Sequence, residues 1–339
     1  MVGLDDESSR CKRRRVVMSD SEESNVAPSA PPTSLAIKAS VRDLLLVSSS
    51  YLEYHICNPL TWQCVPLPEP PRGRYNVCGL LTCEPNNSQL LSNYRVLLKG
   101  DISVNEYEYV LYGAICCSGT GKWSRSMLWC PRTLVPEFEW WSHFFVANNG
   151  ILYSQLTGNE DDIRGFAAVH LSSGTISTDS PIRIQFQFRF LHLPFGFGRG
   201  WRACLEHVCS GVVQGRLRLS QLLKTNQKFV LKVWELNHNS NDNFVHWLLV
   251  HEVRLKRNLN RTNRMFMAAF HPNNGDVIFV FCDHDLYRYK IGEGKYKKVG
   301  QLPHLKYPTN NADKLTRYFR TCTLVHPTWP TLIPILPST

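Results

Sequence analysis

From Val41 onward the chain is written as short apolar runs, each stopped by Gly, Pro, Asn or Ser, and this constrains the fold more than any other feature. "DLLLVSSS", "YEYVLYGAICC", "SHFFVANNGILYSQL", "GFAAVHL", "KFVLKVWELN", "HWLLVHEVRL", "DVIFVFC" and "DLYRYKI" all have strand length and strand composition. In "RIQFQFRF" the alternation places Ile184, Phe186, Phe188 and Phe190 on one face. The single helix candidate is Arg218 to Gln227, "RLSQLLKTNQ". These patterns predict an all-β chain.

One unit of this pattern recurs. "YLEYHICNPLTWQCVPLP" (51–68) is a strand, a polar turn at Asn58-Pro59, a second strand opened by Trp62 and a closing Leu-Pro. The same order appears in 111–126 with Trp123, in 165–182 with a Ser-Ser-Gly turn, and in 285–303 with Tyr287, Tyr289 and Tyr296. A longer turn joins the two halves of 232–253. Each unit reads as an outer hairpin whose second strand carries a large residue, such as Trp62, to pack between sheets. Repeats of this kind, roughly 50 to 65 residues apart, predict small antiparallel sheets stacked radially, because stacking buries faces and protects edges that one small sheet leaves open. The expected architecture is a β-propeller-like domain over 39–335, after a disordered tail of charged, Ser- and Pro-rich sequence over 1–38.

Composition narrows the setting. No apolar run is long enough to span a bilayer as a helix, and the N-terminus lacks an apolar signal core, so the expected compartment is nucleus or cytoplasm and no membrane partner is expected. Within the tail, Lys12, Arg13, Arg14 and Arg15 form a candidate nuclear import signal, with a solvated tail as the alternative, and Ser19 to Ser24 offer an acidic phosphorylation context. The net charge of +10 lies outside residues 1–40, which hold equal numbers of acids and bases. Twelve cysteines include no C-x-x-C pair, and Cys204, His207 and Cys209 lack a fourth ligand. The expectation is reduced thiols and no metal.

No catalytic constellation emerges. "CSGTG" (117–121) is not a nucleophile elbow, "GFGRG" (196–200) has no phosphate-binding lysine, and Asp283, His284 and Asp285 read as a polar turn. The expectation is a binding protein without cofactor or enzymatic activity. Its candidate recognition loops are Gly196 to Trp201, Asn239 to Asn243 and Lys256 to Arg264, with Phe197, Arg199, Trp201, Asn241, Arg257 and Arg261 as contact residues and an unknown protein as target. The alternative is a nucleic-acid-binding propeller, in which the Phe and Arg residues of 183–202 stack on bases; their alternation equally fits core Phe and solvated Arg, which makes nucleic acid the less expected partner.

The segments "LLLVSSS…YHICNPLTWQCVPLP", "NNGILYSQL…FAAVHL", "AFHPNNGDVIFVF…LYRYKIGEGKYKKVGQLP" and "HPTWPTLIP" resemble the plant F-box-associated domain family, of kelch-like β-propeller type, over about residues 42 to 335. The kelch double glycine and the Trp-Asp dipeptide are both absent. The resemblance implies the target-binding part of an SCF-type ubiquitin ligase receptor, in which an N-terminal F-box docks a Skp-type adaptor and thereby a cullin. Residues 1 to 40 show none of the amphipathic periodicity of an F-box, so the recognition domain is expected here without that docking motif.

Overall fold

The period-two runs become strands in the computed structural model, which describes residues 36–50, 52–73, 75, 77–83, 93–104, 108–131, 140–141, 145–157, 163–170, 187–197, 208–225, 228–238, 245–255, 265–282, 285–301 and 333. Two compact units divide the chain, Met1–Ser34 and Leu35–Thr339. The expected tail lies outside the described residues as far as Leu35, and residues 36–38 belong to the first strand.

Five antiparallel sheets follow one another along the second unit. The first holds β1 (Ala36–Val41), β2 (Leu44–Ser48), β3 (Tyr54–Asn58) and β4 (Gln63–Pro66); the second holds β5 (Val77–Cys83), β6 (Asn93–Val104), β7 (Glu108–Cys117) and β8 (Lys122–Pro131). The third contains β9 (Trp140–Trp141), β10 (Val146–Asn148), β11 (Ile151–Thr157), β12 (Ile163–His170) and β13 (Gln187–His192). β9 and β10 pair in turn with the same edge of β11, so they are two pieces of one inner strand. The fourth holds β14 (Val208–Val213), β15 (Arg216–Thr225), β16 (Lys228–His238) and β17 (Val245–Arg254). The fifth holds β18 (Met265–Phe270), β19 (Val277–Cys282), β20 (Asp285–Lys290) and β21 (Lys295–Gln301). Each is a four-step meander, the blade of a propeller, and the inner strands β1, β5, β10, β14 and β18 neighbour one another in sequence.

The core lies between blades. Leu44, Leu46 and Ile56 of blade 1 meet Tyr94, Val96 and Leu98 of blade 2, while Leu97 and Ile115 on the other face of blade 2 meet Leu152 and Leu156 of blade 3. Tyr153 and Phe166 of blade 3 meet Leu217, Leu219 and Trp234 of blade 4, and Leu222, Leu231 and Val233 meet Met267, Ile278 and Tyr289 of blade 5. The middle strands of blades 2, 3 and 4 are thus apolar on both faces, which is why their runs read as nearly continuous. The buried Ile333 joins the layer between blades 1 and 2, and its N–H donates to Gln63 Oε1 at 3.3 Å on the first blade.

Three expectations are corrected. Arg218 to Gln227 is not helical: residues 216–225 form β15, whose Leu217 and Leu219 face blade 3 while Leu222 faces blade 5, and burial of both faces overrides the helix-like spacing of its leucines. Trp62 does not pack between sheets; it stands 91% exposed in the β3–β4 turn with φ +58°. The inter-sheet role falls to two other outer-strand tryptophans. Trp123 Nε1 donates to Pro68 O at 2.7 Å and Trp247 Nε1 donates to His192 O at 2.8 Å, each reaching the exit of the preceding blade. Finally, Cys57 is not a free thiol: it is disulfide-bonded to Cys64, its direct partner across β3 and β4.

Candidate protein-interaction surface

Position-specific turn chemistry builds the most exposed aromatic among the described residues. β13 ends at His192, and the N–H of Phe197 then donates to Pro194 O at 3.0 Å, closing a four-residue turn. Gly196, third in that turn, has φ +79°, the sign a type II turn demands and glycine adopts without a Cβ clash. Phe195 therefore takes the second position, where its side chain points outward, and it is 98% exposed.

The turn is anchored on both sides. Phe197 is only 6% exposed, and its ring lies 5.4 Å from that of Trp234 in β16 of the next blade. His192, at the other side, accepts the Trp247 indole bond and packs edge-on against Phe190 at 4.8 Å. Phe195 is thus a rigidly carried knob rather than a ring on a slack loop. Beyond Trp247, the outer strand β17 exposes Leu248, Leu249 and Val250 in succession. The register slips there, with Leu249 opposite Trp234 and His251 opposite Val233, so Val250 is the extra residue of a bulge. A bulge bends an edge strand away from simple pairing with another sheet, which leaves side chains rather than backbone as the presented chemistry.

Behind this surface lies a charged cluster between blades 4 and 5. Glu235 accepts from Arg216 NH1 at 2.6 Å and from Arg218 Nε at 2.9 Å, and Arg218 NH1 donates across to Gly275 O at 2.9 Å. Burial alone would raise the Glu235 carboxyl, but the bonds from both guanidiniums outweigh it and hold the group below its ordinary value. Burial, then the Arg218 charge, lowers the neighbouring His251 imidazole, which Asp276 flanks at 3.9 Å. An added Cβ at Gly275 would stand 2.7 Å from the Arg218 guanidinium, which would have to shift to make room. Through the Arg218 bond to Gly275 O this cluster ties blade 4 to blade 5.

Among the expected contact residues, Phe197 is corrected. The turn buries Phe197 and exposes Phe195 in its place, another ring of the 183–202 segment. Arg199, Trp201, Asn241, Arg257 and Arg261 lie outside the described residues, as do Lys12, Arg13, Arg14 and Arg15. Cys204, His207, Asp283 and His284 also lie outside them, and among the described residues no group of metal-ligating side chains assembles. Asp285 instead meets Lys298 Nζ at 2.7 Å and accepts from the Tyr287 hydroxyl at 3.3 Å, while burial pushes the Cys116 thiol up to about 12.

These features define a five-bladed β-propeller that displays aromatic and aliphatic side chains from rigid turns and an outer edge. The chain belongs to the family described as F-box protein At3g26010-like, beta-propeller, whose model matches residues 10–300. No curated protein matches it. Among solved structures, the β-propeller domain of Cps50 (Swd1) from Myceliophteria thermophila is similar over 83% of this chain and 89% of that one, at 11% identity and a TM-score of 0.34. A mutant apocarotenoid oxygenase from Synechocystis is similar at 11% identity and a TM-score of 0.33, over 77% of this chain and 58% of that one.

Proposed function

We propose that the domain is the target-recognition module of an SCF-type ubiquitin ligase receptor, acting in the nucleus or cytoplasm by binding rather than by chemistry. The observation that carries this reading is Phe195, fully exposed on a turn fixed by buried Phe197, in a propeller of an F-box protein family. An exposed aromatic on a preorganised support loses little entropy on binding and is the residue type that dominates interface energies. Leu248 and Leu249 extend the apolar contact toward blade 4. The partner is therefore a protein with an apolar pocket for one aromatic ring, and its delivery to a cullin through a Skp-type adaptor requires an F-box, which residues 1 to 40 do not show.

Quantitative affinity capture tests both parts. Phe195→Asp is expected to leave the thermal midpoint within about 1 °C, since the side chain makes no packing contact, and to reduce retention of a saturable protein partner at least about tenfold. Co-recovery of Skp-type adaptor and cullin with the wild-type chain supports the ligase assignment. Retention of the same partner by Phe195→Asp would contradict the surface assignment, and a target recovered without adaptor or cullin would contradict the ligase assignment alone.

A further inference from the structure

Blade 5 carries more positive charge than its own carboxylates cancel. The hairpin of β20 and β21, residues 285–301, holds five cations and two carboxylates. Lys298 meets Asp285 at 2.7 Å, and Glu293 bridges Lys290 and Lys295, the latter at 3.2 Å. Asp276, the remaining described carboxylate of this blade, turns toward His251 of blade 4 at 3.9 Å. Arg288 and Lys297 are exposed and make no ion pair among the described residues.

The register sets these two side by side. Arg288 in β20 stands directly opposite Lys297 in β21 and, on its other side, directly opposite Phe279 in β19. Direct partners share a face, with Cβ atoms roughly 5 Å apart. It is the face away from blade 4, because the alternating neighbours Ile278, Val280, Tyr289 and Tyr296 pack toward that blade. His271 completes the row. Its ring stacks on Phe279 at 6.2 Å and 14°, and the N–H of Asn273 donates to its Nδ1 at 3.2 Å. Both rings are half-buried, so each keeps an accessible edge.

Two cations placed directly opposite repel, which costs stability and returns nothing to the fold. Lysines on an outer strand block pairing with other sheets, which accounts for Lys297 but not for Arg288 on the third strand. One row nearer the β20–β21 turn, Lys290 and Lys295 are also direct partners, and there Glu293 lies between them. The hairpin itself thus shows what such a pair accepts, an oxyanion held by both cations. We infer that the row from His271 to Lys297 binds single-stranded nucleic acid, with a backbone phosphate between Arg288 and Lys297 and a base against the Phe279–His271 stack. Arg288 offers a guanidinium fork and Lys297 a point charge, and both suit a phosphate. Phe279 lies one strand inward from Arg288, about 5 Å, so phosphate and base of one nucleotide meet their contacts together. An acidic peptide would engage the cations and leave the rings idle, whereas a nucleotide engages both.

Fluorescence anisotropy of labelled single strands of about 12 nucleotides, titrated with the full chain at low salt, tests the row. Arg288→Ser/Lys297→Ser is expected to weaken binding at least about tenfold and to reduce the salt dependence by on the order of one released counterion. Phe279→Leu is expected to weaken it about fivefold with the salt dependence unchanged, since it removes a ring and no charge. Removing the opposed cations removes their repulsion, so the double variant is expected to melt no lower than wild type. Lys122→Ser/Arg125→Ser lowers the net charge equally on the outer strand of blade 2 and is expected to keep binding within about twofold. No saturable binding at low salt, or equal losses in the two double variants, would overturn the site. Poly-glutamate that competes as well as nucleic acid at equal charge would overturn it too, by assigning the row to acidic protein segments.

Discussion

Arg218→Met destabilises the domain by about 3 to 4 kcal/mol, the range for removing one partner of a buried ion pair, and lowers its thermal midpoint by on the order of 5 to 10 °C. The expectation follows from placement. Arg218 shares the blade 5 face of β15 with Leu222 and is buried against Glu235, also buried, with its other donor on Gly275 O. Methionine fills much of the same volume but leaves Glu235 with Arg216, whose own side chain is largely in solvent, as its remaining cation among these bonds. The double variant Arg218→Met/Glu235→Met is expected to recover at least half of the loss, because an apolar pair needs no charge compensation. Calorimetry of the three proteins reads the coupling directly. A single-variant loss under about 1 kcal/mol would show that the cluster is decorative rather than a tie between blades.

Lys99→Met acts in the opposite direction. Lys99 sits in β6, two residues beyond Leu97, and burial lowers its ammonium from 10.5 to about 8. The sign follows from linkage. Between about pH 8 and 10.5 the unfolded chain binds the proton and the folded chain does not, so this residue makes stability rise with pH across that window. Below about pH 8 the cost is fully present, and a shift of this size corresponds to about 3 kcal/mol. Lys99→Met is therefore expected to flatten the alkaline rise, measured as the difference between wild-type and variant denaturant midpoints from pH 7 to 10. Parallel curves would contradict it.

The two cases show what kind of information a linear pattern holds. Strands, hairpins and the repeat were legible because each follows from alternation and turn residues within a dozen positions; β3–β4, β7–β8 and β20–β21 fall where the motifs put them. Arg218 and Gly275 are 57 residues apart, and nothing in either neighbourhood announces the bond. The leucines at 219, 222 and 223 carry helical spacing, yet a blade's middle strand buries both faces and accepts that spacing equally well.

The errors at the surface have a common cause, which is turn geometry. One residue in the left-handed region decides which neighbour points inward. Gly196 sends Phe195 out and Phe197 in. At blade 1, Asn58 caps the turn through its side chain and leaves Trp62 as its last residue, so the aromatic that marks the repeat is not the one that packs. Trp123 and Trp247 lie within their outer strands, and their indoles reach back to Pro68 and His192. The hairpin around Trp62 is where the sequence pattern puts it, while the ring itself stands in solvent.

Site-specific photocrosslinking shows whether Phe195 is a target contact. A photoreactive phenylalanine analogue at position 195 is compared with the same analogue at exposed Val299 on β21, far along the chain from this turn. One saturable protein adduct is expected at 195, absent at 299, competed by unlabelled wild-type domain and not by Phe195→Asp. Identical adduct patterns at the two positions, or undiminished competition by Phe195→Asp, would contradict it.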